Sequence, residues 1–97
     1  MKVTINSVHF KADSKLEEFI TNKIEKMCSK HNDVIGAEVS LKLENVNDNE
    51  NKIADIRLAV KGDDLFASKR CTSFEEAVDS SVEALKKQLE KYKGKNV

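Results

Sequence analysis

The chain has 97 residues, 39% of them apolar, with no Trp, no Pro and only three Gly. That length supports one domain with a single core and leaves no room for a deep enclosed active site. Seventeen basic residues balance seventeen acidic ones, which argues against broad polyanion binding and makes the distribution of charge the quantity to read.

Apolar clusters run for only a few residues, so no transmembrane helix is expected. The opening MKVTINSVHF lacks the apolar stretch of a signal peptide. Two cysteines, Cys28 and Cys71, stand without framework spacing and fit free thiols in a reducing cytoplasm.

Residues 1–10 read as a strand, with Val3 and Ile5 alternating onto one face and Val8 and Phe10 following after a change of register. A helix is predicted over 14–30. Ser14 is its expected N-cap, with Glu17 completing a capping box, and Leu16, Phe19, Ile20, Ile24 and Met27 recur at helical spacing. Two alternating runs follow. Val39, Leu41 and Leu43 point inward from a strand over 37–44, and Ile56, Leu58 and Val60 from one over 53–61. The polar ENVNDNENK (44–52) between them is a hairpin loop, KGDD marks the next turn, and LFASKR lies in a short fourth strand over 64–70. A second capping box, Ser73 to Glu76, opens a helix over 73–94 whose apolar stripe is Phe74, Ala77, Val78, Val82, Leu85, Leu89 and Tyr92.

The order β-α-β-β-β-α predicts an α/β (α+β) two-layer sandwich. The helical crossover makes the first two strands parallel, and hairpins make the later pairs antiparallel, giving a four-stranded mixed sheet. Alternation leaves one sheet face wet, so both helices belong on the other, an arrangement that resembles the double-stranded-RNA-binding-domain-like fold.

Charge is segregated along both helices. On the last one, Lys87, Lys91 and Lys95 form an i, i+4 ridge outside the apolar stripe, while Lys86 and Lys93 sit on its other flank near Glu90. On the first, Lys15, Lys26 and Lys30 share a flank, and Lys23 lies at the stripe's margin with its stem along the core edge. Complementing the helix dipole accounts for lysines in a last turn. It does not account for Lys15 or Lys23, nor for lysines and glutamates taking different flanks. Merging the two basic flanks into one patch accounts for both.

Other chemistry is not supported. Cys28 and His31 with His9 and Cys71 nominally supply four zinc ligands, but the first helix separates His31 from His9, so a structural Cys and a surface His are the better reading. Cys28 and His31 at a helix end lack the third group and the oxyanion donors of a nucleophile pair. Three glycines permit no phosphate-cradling loop, and NVNDNEN lacks the features of a calcium loop. Phe10, Phe19, Phe74 and Tyr92 fit core or core-edge positions, so no aromatic is expected on the open sheet face for base stacking.

LEEFITNKIEKM in the first helix, LFASKR in the fourth strand and SFEEAVDSSVEALKKQLEKYKGK at the end, in this element order, resemble the ribosome hibernation-promoting factor family. Its relatives include the ribosome-associated inhibitor A proteins, and it is also catalogued as sigma-54 modulation proteins. The resemblance covers essentially the whole chain. Its most specific pieces are the K-x-x-K of Lys23 and Lys26, the FAS of strand four and the K-Q-L-x-K-x-K run from Lys87 to Lys93. It implies a cytoplasmic, non-enzymatic protein without cofactor, metal, small-molecule substrate or membrane partner. Such a protein binds the small ribosomal subunit (16S rRNA) and the 70S ribosome at the decoding region, blocks the mRNA and tRNA sites and silences translation under stress or in stationary phase. Carried onto matching positions, the implied RNA contacts are Lys23, Lys26, Lys86, Lys87, Lys91 and Lys93, with Lys30, Lys95 and Arg70 as further members. Ending at Val97, the chain resembles a short form without the C-terminal domain of long members. The alternative is a general RNA-binding or protein-interaction module on the same scaffold.

Overall fold

Alternation decides the strands and helical spacing the two remaining segments. In a computed structural model, residues 1–44 and 49–95 are described, with side chains as far as Tyr92. The elements are β1 (Lys2–Val8), α1 (Ser14–Cys28), β2 (Val34–Leu43), β3 (Lys52–Val60), β4 (Asp63–Cys71) and α2 (Phe74–Lys95). They form one sheet in the order β1-β2-β3-β4, with β1 parallel to β2 and the other pairs antiparallel. The fold class is the one the sequence predicts.

Register turns the alternation into two faces. Val3, Ala37, Leu58 and Leu65 form one cross-strand row, and Ile5, Val39, Ile56 and Ala67 the next. Both rows belong to the core, with Val3 and Ile5 at its edge only partly buried. Thr4, Glu38, Arg57 and Phe66 form a row on the opposite, open face. Onto the core face α1 brings Ile20, Ile24 and Met27, and α2 brings Ala77, Val78, Val82, Leu85 and Leu89. Small residues let α2 sit close. Ser81 is fully buried, and its hydroxyl donates to the Ala54 carbonyl of β3 at 3.2 Å, satisfying a polar group that burial would otherwise penalise. Among the described residues no helix is long and apolar enough to cross a membrane.

Element ends show where local chemistry differs from the sequence reading. The strand expected over 1–10 ends at Val8, because His9 adopts a left-handed φ of 71°. The turn redirects Phe10 to stack on Phe74, ring centroids 4.5 Å apart. The N-cap of α1 is Asp13, not Ser14: its carboxylate accepts the Leu16 N–H at 2.8 Å, and Ser14 is already the first helical residue. Nor does α1 reach residue 30. It closes at Cys28, where the Ser29 hydroxyl donates to the Lys26 carbonyl at 2.9 Å.

At the start of α2 the Ser73 hydroxyl accepts the Glu76 N–H at 3.1 Å, as expected. The reciprocal half of the box is replaced, since the Glu76 carboxylate takes the Thr72 hydroxyl at 3.3 Å. Val60 pairs with Asp63 across a two-residue turn in which Gly62 holds a φ of +85°, a conformation that favours glycine. Of the expected 44–52 loop, residues 45–48 lie outside the described residues, and Glu44 N–H closes on the Asn51 carbonyl at 2.9 Å.

The two sheet edges are treated differently. On β4, the Gln88 side chain of α2 accepts the Phe66 N–H at 3.3 Å and donates to the Phe66 carbonyl at 2.7 Å. That edge is thereby capped in its middle by a side-chain amide. No hydrogen bond from a described side chain reaches the backbone of β1.

Candidate nucleic-acid interface

The helices lie side by side, and their facing flanks enclose a groove of about 480 Å³. From α1 come Lys23 and Lys26, with Lys30 and His31 just beyond its end, and from α2 come Asp79, Lys86 and Glu90. The spacing 23, 26 keeps two lysines on the α2-facing flank of α1, with Lys30 following in the turn after it, and 79, 82, 86, 90 keeps a mixed stripe on the facing flank of α2. Four lysines against two carboxylates line the groove, so its field is cationic even though the chain as a whole is neutral.

Its lysines are not equivalent. Lys23 Nζ bonds Asp79 Oδ1 at 3.0 Å and lies 5.7 Å from the centroid of the Phe19 ring. Both members of the ion pair are substantially exposed, so it contributes at most about 1 kcal/mol. It spans α1 and α2 and commits the Lys23 charge to a partner. Lys86 Nζ is likewise held by Glu83 at 3.2 Å. Among the described residues Lys26 and Lys30 form no ion pair, and neither do Lys87 and Lys91.

Lys87 and Lys91 are exposed and one helical turn apart. They do not line the groove: they ride on the outer surface of α2. The helix layer thus carries a cationic groove and, beside it, a cationic ridge. The side chains of Lys93 and Lys95 lie outside the described residues. Arg70 is not brought to this layer. It points from β4 to the open face, where it pairs with Glu44 at 2.6 Å.

Two features escape the sequence reading. An aromatic does stand on the open face: Phe66 is 52% exposed, in line with Arg57 across the strands, where none was expected. Its signal was available in LFASKR, since Leu65 and Ala67 facing inward require Phe66 to face out. His31 and the acids Asp79 and Glu90 share the groove with the lysines. The helical spacing of Asp79, Lys86 and Glu90 marks that stripe, but its meeting with α1 depends on how the helices pack.

The thiols do not resemble a reactive centre. Cys28 is 8% exposed, and burial pushes its thiol up to about 11. It is therefore protonated at neutral pH and a poor nucleophile. Cys71 is half-buried, its sulfur 4.0 Å from the Ser80 hydroxyl. Among the described residues no three His, Cys, Asp or Glu side chains group as a metal site. In the native protein Cys28 is expected to resist alkylation at pH 7.5 and to react only on unfolding, which mass spectrometry of iodoacetamide-treated samples would show. Because the folded thiol titrates above its ordinary value of 9.0, the unfolded state releases its proton first. Stability should be unaffected by this group below pH 9 and fall between about pH 9 and 11. Cys28→Ala should flatten that part of the curve.

Comparison with known proteins places this geometry. A ribosomal subunit interface protein from Coxiella burnetii superposes with a TM-score of 0.86, covering 97% of this chain and 99% of that one at 18% identity. The N-terminal domain of Thermus thermophilus Protein Y gives 0.78, covering 94% of each chain at 16% identity. At such identities the likeness speaks for the fold. No curated protein matches the chain in sequence. The family described as sigma 54 modulation protein / S30EA ribosomal protein matches residues 3–97, nearly the whole length, and the chain belongs to that family.

Proposed function

We propose that this protein is a ribosome hibernation factor that sits in the decoding region of the small subunit and keeps the 70S ribosome idle under stress or in stationary phase. The observation that carries the reading is a set of lysines that form no ion pair among the described residues, Lys26, Lys30, Lys87 and Lys91, presented on the helix layer of a member of the S30EA family. Phosphates of 16S rRNA are the natural counter-charge. The groove receives a backbone strand between Lys26, Lys30 and Lys86, and the ridge holds a second. Lys23, whose charge is shared with Asp79, and Lys93 and Lys95, from the last turns of the sequence, are proposed as further contacts. Arg70, on the far side of the sheet, is not part of this surface. No covalent chemistry is required, since occupancy of the mRNA and tRNA positions blocks translation sterically, and the site of action is the cytoplasm, where ribosomes are.

One structural neighbour is named a ribosomal subunit interface protein, which supports the ribosomal part of this reading. The test is sedimentation of purified protein with 30S and 70S particles across a salt series. Counting only the four lysines without ion pairs as phosphate contacts, the affinity should fall at least about a hundredfold between roughly 50 and 200 mM salt. A flat profile overturns the electrostatic reading. Equal affinity for naked duplex RNA would replace it with the general RNA-binding module.

A further inference from the structure

The contrast between the two sheet edges points to a second interaction surface, away from the lysines. Strand β1 is seven residues long and contains no Pro or Gly, and Lys2 is its only charge. Among the described residues its outer edge has no guard comparable to Gln88 on β4. Such an edge is a template for an added strand. Val3 and Ile5, the helix-side residues of β1, are only partly buried, so apolar surface remains for a neighbour to cover.

What lies above this edge selects the neighbour. The flank of α1 that bears Lys23 and Lys26 faces α2, so the opposite flank overhangs the β1 side. Helical spacing puts Glu17, Thr21 and Glu25 there as an i, i+4, i+8 ridge, and both glutamates are exposed and form no ion pair among the described residues. Eight helical residues span about 12 Å, and four strand residues span about 13 Å. Two basic side chains four residues apart on an added strand therefore match Glu17 and Glu25. Their aliphatic stems would lie along Val3 and Ile5 and their charges reach the carboxylates.

We propose that the β1 edge binds an extended basic segment of a partner protein by strand addition, with lysine or arginine at i and i+4 on the helix side. A second copy of this chain fits less well, because edge-to-edge pairing would bring two acidic ridges together. The proposal is independent of the lysine surface and of ribosome binding.

A capped seven-residue peptide, TKTVTKT, is the probe, with TETVTET as its charge-reversed control. NMR titration of the full chain with TKTVTKT should give saturable shifts confined to β1 and the Glu17–Glu25 flank. Hydrogen exchange should slow at alternate β1 amides, those pointing away from β2. The Glu17→Lys/Glu25→Lys variant, altered only at exposed positions, should bind about tenfold more weakly. Several results would overturn the proposal: no saturable shifts, equal binding of TETVTET, or binding that leaves β1 amide exchange unchanged. Slowed β1 exchange that rises with protein concentration and without peptide would assign the edge to a second copy and overturn it as well.

Discussion

Reversing one unpaired lysine on each helix, Lys26→Glu together with Lys87→Glu, is expected to weaken binding to 30S particles about a hundredfold near 0.1 M salt. Each single change should cost about tenfold, and the two should multiply, because the sites lie on separate helices and share no partner. Neither lysine gives up an ion pair among the described residues, so thermal unfolding should move little. Lys26 in the last turn of α1 adds only a helix-dipole contribution of about 0.3–1 kcal/mol. Filter binding or sedimentation of the singles and the double measures the effect. If Lys87→Glu produces the whole loss and Lys26→Glu none, the groove is not part of the contact and the two-helix surface fails.

The largest effect on stability is expected from Leu85→Ala. Leu85 is fully buried where α2 meets the sheet, and truncation there removes about 2–5 kcal/mol through lost transfer energy and a cavity. For a domain of this size that is a large part of the whole, and it should lower the melting midpoint by roughly 10–25 °C. Circular dichroism melts would show it. A loss below about 1 kcal/mol would mean the α2–sheet contact collapses around the gap and carries less than its burial implies. Below the midpoint the variant should bind ribosomes normally, since Leu85 positions the lysines and touches nothing outside the core.

Much of this architecture was legible residue by residue because it rests on local rules. AEVSLKLE and ADIRLAV alternate cleanly, and both became paired strands with Val39 opposite Ile56. Ser73 announced the start of α2 through a cap whose geometry needs only three residues. The first helix was misplaced by one residue because Asp13 and Ser14 are both good caps, and only the approach of the backbone decides between them. His9 signals its left-handed φ only weakly, since histidine visits that region more often than most side chains but far less readily than Gly. For the site, helical spacing revealed which lysines share a flank. It could not reveal that Lys23 spends its charge on Asp79, 56 residues away, because that depends on the packing register of two helices. The outward position of Phe66 follows from its buried neighbours Leu65 and Ala67 and is legible in the alternation of LFASKR.

Gln88 ties the behaviour of β4 to the integrity of α2. The same helix that raises Lys87 and Lys91 also holds the amide that occupies the Phe66 backbone. When the second half of α2 frays, that N–H and carbonyl are uncovered beside an exposed phenylalanine, a combination prone to edge-to-edge aggregation. Partial melting of one helix thus does more than blunt a binding surface: it makes the protein sticky toward itself, so loss of activity and loss of solubility share one structural cause.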